Sequence, residues 1–354
     1  MKSSILQTLI KLNSKGFPFV NRTSKKTASY FHAQGKLMLT GEYLVLKGAK
    51  AIALPVNLGQ SLNVRMKRTF NETLVHWCAR DYKERIWFQA SFSKGSFEIK
   101  SSSNMEQATK LQQMLKSVRA LNIHFMREVD LDHYFETRLE FPLNWGLGSS
   151  STLISLLAQL GHVDPFDLMR SCKINGSGYD LACAQSMKPV LFHVEEKSAG
   201  WAEVVLDQNL LDNFFLLHLN EKVSSEKEVN RVSSFQVKCN EVKSLVDSIN
   251  LINDRILEGV DLKEFIQLMK QHESITGSYI GKPLIQELFF SEFDGLIKSL
   301  GAWGGDFALV ASESMDEDSI REYFNTKGYS TFFKLNDLLI KEGEVSHTSN
   351  FLRQ

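Results

Sequence analysis

Gly146-Leu147-Gly148-Ser149-Ser150-Ser151 stands between a strand-like run, Thr137 to Phe141, and an apolar helical run, Thr152 to Leu160. A glycine turn that opens a helix leaves backbone N–H groups pointing at one spot, and the helix dipole adds partial positive charge there. That spot suits a phosphate. The three hydroxyls add donors, and a hydroxyl oxygen is a suitable Mg²⁺ ligand. The pattern therefore predicts nucleotide binding. It is not a P-loop, because no Gly-Lys-Ser/Thr closes the turn; at Gly281-Lys282-Pro283 proline takes the hydroxyl's place. A dinucleotide fingerprint wants a third glycine at 151, where serine stands. The plain alternative is a serine-rich helix start on a tight turn.

Three further stretches carry residues of the right type. Asp180 ends the polar loop Asn175-Gly176-Ser177-Gly178-Tyr179-Asp180. An aspartate in such a loop commonly serves as a turn or cap residue. The functional reading is a carboxylate that accepts or orients the proton of a substrate hydroxyl during phosphoryl transfer, a reaction that asks for positioning and charge stabilisation. Gly176 and Gly178 let backbone come close to a ligand. Lys36 lies in Gly35-Lys36-Leu37-Met38-Leu39-Thr40-Gly41-Glu42-Tyr43. It reads as a surface lysine, or as a cation aimed along a sheet edge at an anion, with Glu42 as its partner or as the cap of the next turn. Gly301-Ala302-Trp303-Gly304-Gly305-Asp306-Phe307 reads as a sharp turn before a strand, or as a flexible loop behind the phosphate site in which Trp303 excludes water.

These residues need a scaffold, and the hydrophobic pattern supplies one. Strand-like segments run through Leu37 to Leu39, Leu44 to Leu46 and Ala51 to Val56, with turns at Gly41 and Gly48. Between 61 and 100 the pairs Leu62/Val64, Val75/Trp77, Trp87/Phe88 and Phe97/Ile99 predict antiparallel strands with one solvated face. Glu106 to Leu121 is an amphipathic helix with Leu111, Met114, Leu115 and Val118 on one side. Asp164-Pro165 marks a helix start, and Leu181 to Gln185 is helical or extended. Strands follow at Val190 to Val194 and Phe214 to Leu219. Residues 225 to 300 are mostly helical. Strand Phe307 to Ala311, helix Glu317 to Lys327 and strand Ser330 to Leu335 close the chain. Strands and helices interleave without βαβ regularity, so the fold class is α+β.

The 354 residues suffice for two domains, and Lys plus Arg balances Asp plus Glu at 41 each. A neutral chain has no basic footprint for nucleic acid. No apolar run reaches the roughly 18 residues that span a bilayer. Cys78, Cys172, Cys183 and Cys239 form no Cys-x-x-Cys pair, and the nine histidines show no ligand spacing, which argues against zinc. Reduced thiols fit a cytoplasmic protein. Residues 1–28 carry basic and no acidic side chains, without a signal-peptide core; they read as an N-terminal extension.

In order and separation, the Gly35 to Leu46 stretch, Pro142 to Ser151, and Gly301 to Phe307 resemble the three motifs of the GHMP kinases, small-molecule kinases that include galactokinase, homoserine kinase, mevalonate kinase and phosphomevalonate kinase. The resemblance spans about residues 30 to 335. Gly35-Lys36-Leu37 with Gly41-Glu42-Tyr43, and Gly176 to Ala182, look most like the mevalonate-pathway branch. The resemblance implies an N-terminal lobe like ribosomal protein S5 domain 2 over 29–205 and a ferredoxin-like lobe over 206–354. ATP and Mg²⁺ would lie between them, with adenine against the strands after Val56. It implies catalytic roles for Asp180, near the acceptor, and for Lys36. Gly146, Leu147, Gly148, Ser149, Ser150, Ser151, Gly304 and Gly305 would bind the nucleotide, with Ser150 as Mg²⁺ ligand. Lys222, Ser224 and Ser225 resemble a substrate-side loop. The expected partner is a small-molecule acceptor, mevalonate or phosphomevalonate first, for a monomer or homodimer without nucleic acid or membrane. Gln34 stands where the family has proline, Trp303 and Asp306 interrupt the third motif, and Met169 occupies the position of mevalonate kinase's Mg²⁺-binding glutamate. These departures leave three alternatives: a regulator that kept the fold and lost catalysis, a sugar kinase, and a diphosphate decarboxylase.

Overall fold

A computed structural model describes residues 29–194, 199–221, 223, 225–233, 235 and 239–341. The N-terminal extension and the pair Lys222 and Ser224 lie outside the described residues, as does the side chain of Ser225.

Two sheets organise the chain. The first holds eight strands: β1 Ser29–Met38, β2 Ala51–Arg68, β3 Leu74–Arg80, β4 Ile86–Ser93, β5 Ile99–Ser102, β6 Leu131–Leu139, β7 Val190–Val194 and β8 Ala199–Glu203. Its order is β5-β4-β3-β6-β2-β7-β8, with β1 also paired to β2. Four helices belong to this half: α1 Met105–Leu121, α2 Ser149–Gly161, α3 Pro165–Ser171 and α4 Tyr179–Gln185. They bury one face of the sheet, where Val75, Trp77, Phe92 and Phe135 meet Leu111, Leu115, Leu157 and Leu168. Within residues 61 to 100 the pairs β3–β4 and β4–β5 are antiparallel, as expected, while β3 pairs parallel with β6 beyond that range. A parallel pair needs a crossover, and the chain from β4 through α1 provides it. The opposite face keeps polar alternates, as the pattern predicts: along β3, His76 and Cys78 are only partly buried.

The second half begins with α5 Gln208–Leu211 and β9 Phe215–His218, followed by α6 Ser225–Ser233, α7 Cys239–Glu258, α8 Leu262–Ile280 and α9 Ile285–Phe289. Then come β10 Leu296–Leu300, β11 Phe307–Ala311, α10 Glu317–Thr326, β12 Phe332–Lys334 and α11 Leu335–Leu338. The second sheet is fully antiparallel in the order β10-β11-β9-β12. Numbered within this half, that is 2-3-1-4 with helices between β9 and β10 and between β11 and β12, the ferredoxin-like arrangement. The fold is thus α+β, a large mixed sheet beside a smaller antiparallel one.

Local chemistry sets the element ends. Asp164 caps α3 by accepting from Asp167 N–H, with Pro165 in the first turn. Asn104 caps α1 in the same way through Gln107 N–H. The segment after Gly41 departs from the strand reading: Leu44–Lys47 is a short 3-10 turn. Gly48 in the left-handed region (φ 97°) ends it, and its N–H bonds back to the Leu44 and Val45 carbonyls. Burial explains why apolar side chains there look strand-like, since Leu44 and Val45 are core residues. β2 runs on without a break for 18 residues through Pro55, where the sequence suggested two strands.

One apolar cluster joins the halves. Leu37, Leu54 and Val56 of the first sheet pack with Leu216 and Leu309 of the second and with Phe265 and Met269 of α8. The glycine–serine turn is built into this cluster through Leu147, which is fully buried.

Candidate active site

The turn before α2 is held from both halves of the molecule. Gly35 and Lys36 in β1 form its floor, and Lys36 N–H donates to Leu147 O at 3.1 Å. Gly35 is required there: a Cβ would lie 2.7 Å from Leu58 O and 3.0 Å from Leu147 O. The register of β1 on β2 slips between Gln34 and Gly35, which lets the strand meet the loop. From the second sheet, Phe307 packs edge-on to Trp145 at 5.5 Å and Phe333 lies 5.6 Å from it.

Gly146 and Gly148 have φ of 64° and 88°, the region glycine favours. Gly148 is the cap residue of α2 and has no side chain to satisfy the first helical N–H groups. Ser151 and Thr152 N–H bond back to Gly148 O. The N–H groups of the first helical residues, at Ser149 and Ser150, face outward for an anion. The absent Cβ of Gly148 also opens a lane for Lys36, whose Cγ lies 3.2 Å from where that Cβ would be.

Asp180 stands at the start of α4, after Gly178 at φ 89°. Ser151 Oγ donates to Asp180 Oδ2, so the Gly146 turn and the loop before α4 touch directly. The other carboxylate oxygen accepts from Leu181 N–H at 3.2 Å. The Lys36 ammonium lies 5.3 Å from the centre of the Tyr179 ring. Burial works to lower the Lys36 pKa, but Tyr179, Asp180 and Asp306 outweigh it and hold it above the ordinary lysine value. Burial pushes the Tyr179 hydroxyl up to about 12, so the phenol is neutral.

Lys36, Ser151 and Asp180 therefore lie close together, with Gly146 to Ser149 beside them. Ser150 is exposed, and the hydroxyl on the Asp180 carboxylate is that of Ser151. Gly304 and Gly305 direct their N–H groups inward, to Ser299 Oγ at 2.9 Å and Ala302 O at 3.1 Å. The residue by which that loop reaches the phosphate turn is Asp306. Its Oδ2 lies 2.0 Å from the position of a Gly146 Cβ, so only glycine fits at 146. Trp303 does not cover the phosphate turn. It is buried against α8, donates from its indole to Pro283 O at 3.1 Å, and its backbone N–H donates to the Tyr43 hydroxyl oxygen at 2.9 Å.

Glu42 takes a different partner from Lys36. Its Oε1 lies 2.6 Å from Lys298 Nζ on β10, and both side chains are almost wholly buried. Gly41 N–H donates to His272 Nε2 at 2.8 Å, so that nitrogen carries no proton and the ring is neutral. Burial, then the Lys298 charge, drives the His272 pKa well below its ordinary value. Ser299 N–H donates to Glu273 Oε1 at 2.9 Å, and burial raises the Glu273 pKa to about 8. The first motif thus anchors the two halves to each other. Spacing along the sequence gives no sign of this, because Lys298 stands in an otherwise apolar strand and His272 within the polar run Lys270 to Ser274, neither in a recognisable pattern with Glu42.

No family model matches the chain, and no curated protein matches it in sequence. Solved structures do. Mevalonate kinase from L. major, in complex with R-mevalonate, superposes with a TM-score of 0.60 over 89% of this chain and 98% of that one, at 16% identity. Streptococcus pneumoniae phosphomevalonate kinase, in complex with phosphomevalonate and AMPPNP, gives 0.62 over 87% and 98%, at 15% identity. Lactococcus lactis galactokinase complexed with galactose gives 0.61 over 88% and 93%, at 12% identity. The chain shares the fold of these kinases over nearly their full length. Among the described residues no helix is long and apolar enough to cross a membrane.

Proposed function

We propose that this protein is an ATP-dependent small-molecule kinase that phosphorylates a hydroxylated acid, with mevalonate and phosphomevalonate the leading acceptors. The observation that carries this reading is the contact between Ser151 and Asp180, which sets a carboxylate beside an uncapped helix start with Lys36 between them. The fold shared with mevalonate and phosphomevalonate kinases supports it. In the reaction the acceptor oxygen attacks the γ-phosphorus, the bond to the ADP oxygen breaks, and the acceptor proton passes to Asp180. The N–H groups at Ser149 and Ser150 bind phosphate oxygens, and the Lys36 ammonium neutralises charge as it builds on the transferring group.

The Ser151 hydroxyl and the carboxylates of Asp180 and Asp306 are hard oxygen donors of the kind Mg²⁺ takes together with phosphate oxygens, and the space left by Gly146 brings Asp306 to the turn. These residues, with Ser150 on the outer side, would hold the ion. Bound there, it would offset phosphate charge. Met169 lies against Gly176 and offers no such oxygen.

A coupled ADP-release assay with mevalonate, phosphomevalonate, mevalonate diphosphate, homoserine and galactose tests the proposal. Saturable turnover with one of the first two is expected. Turnover only with galactose would move the protein to sugar kinases, and CO₂ release with mevalonate diphosphate to decarboxylases. A second reading, a nucleotide-binding regulator without turnover, is favoured by one feature: the Asp306 carboxylate set against the phosphate turn. Calorimetric ATP binding with no ADP release from any acceptor would establish it.

A further inference from the structure

The geometry points to Tyr179 as a positioning residue for Lys36: its ring holds the ammonium clear of the Asp180 carboxylate, so that cation and base remain separately available. This rests on the kinase reading for its purpose, but not for the placement itself.

Lys36 sits between carboxylates from both halves, Asp180 and Asp306, yet among the described residues it makes no ion pair with either. A partly buried lysine in that setting would ordinarily close on the nearest carboxylate, since the Coulomb gain grows as water is excluded. Three features prevent it. The lysine stem is fixed along the lane beside Gly148. Both Asp180 oxygens are engaged, one by Ser151 Oγ and the other by Leu181 N–H. The ammonium instead faces Tyr179, with a hydrogen bond to its hydroxyl and the ring centre at 5.3 Å, within the range of an attractive cation–π contact.

Tyr179 is itself fixed. Gly178 ahead of it packs so closely on Phe166 that a Cβ would lie 2.9 Å from the ring. The Tyr179 ring packs against the apolar cluster of Met38, Ala53, Ala182 and Cys183. Position 179 directly precedes the carboxylate, so one helix start sets both the base and the platform that keeps the cation off it. A collapsed Lys36–Asp180 pair would cost twice. The Asp180 carboxylate would face the ammonium in place of the acceptor hydroxyl, and the ammonium would turn away from the transferring phosphoryl group.

Lys36 acetylation by limiting acetic anhydride, followed by mass spectrometry between pH 8 and 11 in the full-length protein, reads the placement without turnover. Tyr179→Met keeps bulk and removes the ring. Its Lys36 should label about 5-fold or more slowly as the amine closes on Asp180. Tyr179→Met with Asp180→Asn should label near the wild-type rate, and Tyr179→Phe, which keeps the ring face and loses the hydroxyl, should label closer to wild type than Tyr179→Met does. Where Tyr179→Met fails to fold, a series of fluorinated phenylalanines at 179 keeps the shape while weakening the ring's negative face; labelling should slow stepwise with fluorine content. In kinetics, Tyr179→Met should lower kcat by roughly 10- to 100-fold with the KM for ATP changed by less than about 3-fold. Wild-type labelling in Tyr179→Met, or across the fluorinated series, overturns the inference. Absence of turnover with every acceptor alongside altered labelling overturns the kinase reading and leaves this one standing.

Discussion

At the scale of single residues, the site depends on side chains that meet across large sequence distances and on glycines that make room for them. Asp180→Asn keeps an oxygen that accepts from Ser151 but loses the proton acceptor. Turnover should fall by about 10² or more while the melting temperature moves by no more than a few degrees, as steady-state kinetics and calorimetry would report. Unchanged turnover would remove Asp180 from the chemistry. Gly146→Ala tests the other kind of residue. The new methyl meets the Asp306 carboxylate and the left-handed backbone resists a side chain, so urea unfolding should show a loss of roughly 1–3 kcal/mol. Asp306→Gly in the same chain should return part of that loss. Simple additivity in this double-mutant cycle would mean the two residues do not touch. Both glycines of the turn, Lys36 and Asp180 were legible in the sequence because their chemistry is local. Asp306 and Tyr179 were present in the motifs, but their contacts arise only when the second half folds onto the first and when α4 packs on β1.

At the scale of elements, the first motif proves to be a joint. β1 ends in a turn whose Thr40 donates to Asn253 on α7 at 2.6 Å, and whose Glu42 pairs with Lys298 on β10. Lys298→Met would leave the Glu42 charge buried and unpaired. Burial already raises the Glu42 pKa against the opposing effect of Lys298, so removing the lysine should be costly, about 3–5 kcal/mol in denaturant unfolding. Combining it with Glu42→Gln should recover much of the loss, since no unpaired charge is then buried. Equal stability of single and double variants would mean the pair is not desolvated. The elements themselves were largely readable. The 3.6-residue period of α1, the Asp164-Pro165 start of α3 and the apolar run of β11 each carry a short-range signal. The 3-10 turn at Leu44–Lys47 was not, because burial by α7 and α8 selects the same apolar residues that a strand would. The parallel pairing of β3 with β6 was not either, since alternation fixes which face is buried and says nothing about a strand's neighbour.

At the scale of the whole molecule, the buried groups at the joint make stability depend on protonation. Glu273 on α8 lies near Lys298 of its own half and Glu42 of the other, with neutral His272 beside it and Ser299 N–H as donor. Its folded pKa is about 8, against an ordinary value of 4.5. The folded chain therefore holds a proton that the unfolded chain has released at every pH between those values. Stability from this group is full below about pH 4.5 and is lost progressively as pH rises through about 8, by linkage. His272 works in the opposite sense. Its folded pKa lies well below 6.5, so below that pH the unfolded chain takes up a proton that the folded chain refuses, and stability falls on acidification. Between about pH 6.5 and 8 the slope belongs to Glu273 among these groups. Urea unfolding across that window should show the wild type losing on the order of 1–2 kcal/mol that Glu273→Gln retains. Parallel curves for the two proteins would mean that Glu273 is already ionised at neutral pH and that its carboxylate is solvated. A loss confined to the wild type would mean that ionising Glu273 in its buried setting is what weakens the fold on the alkaline side.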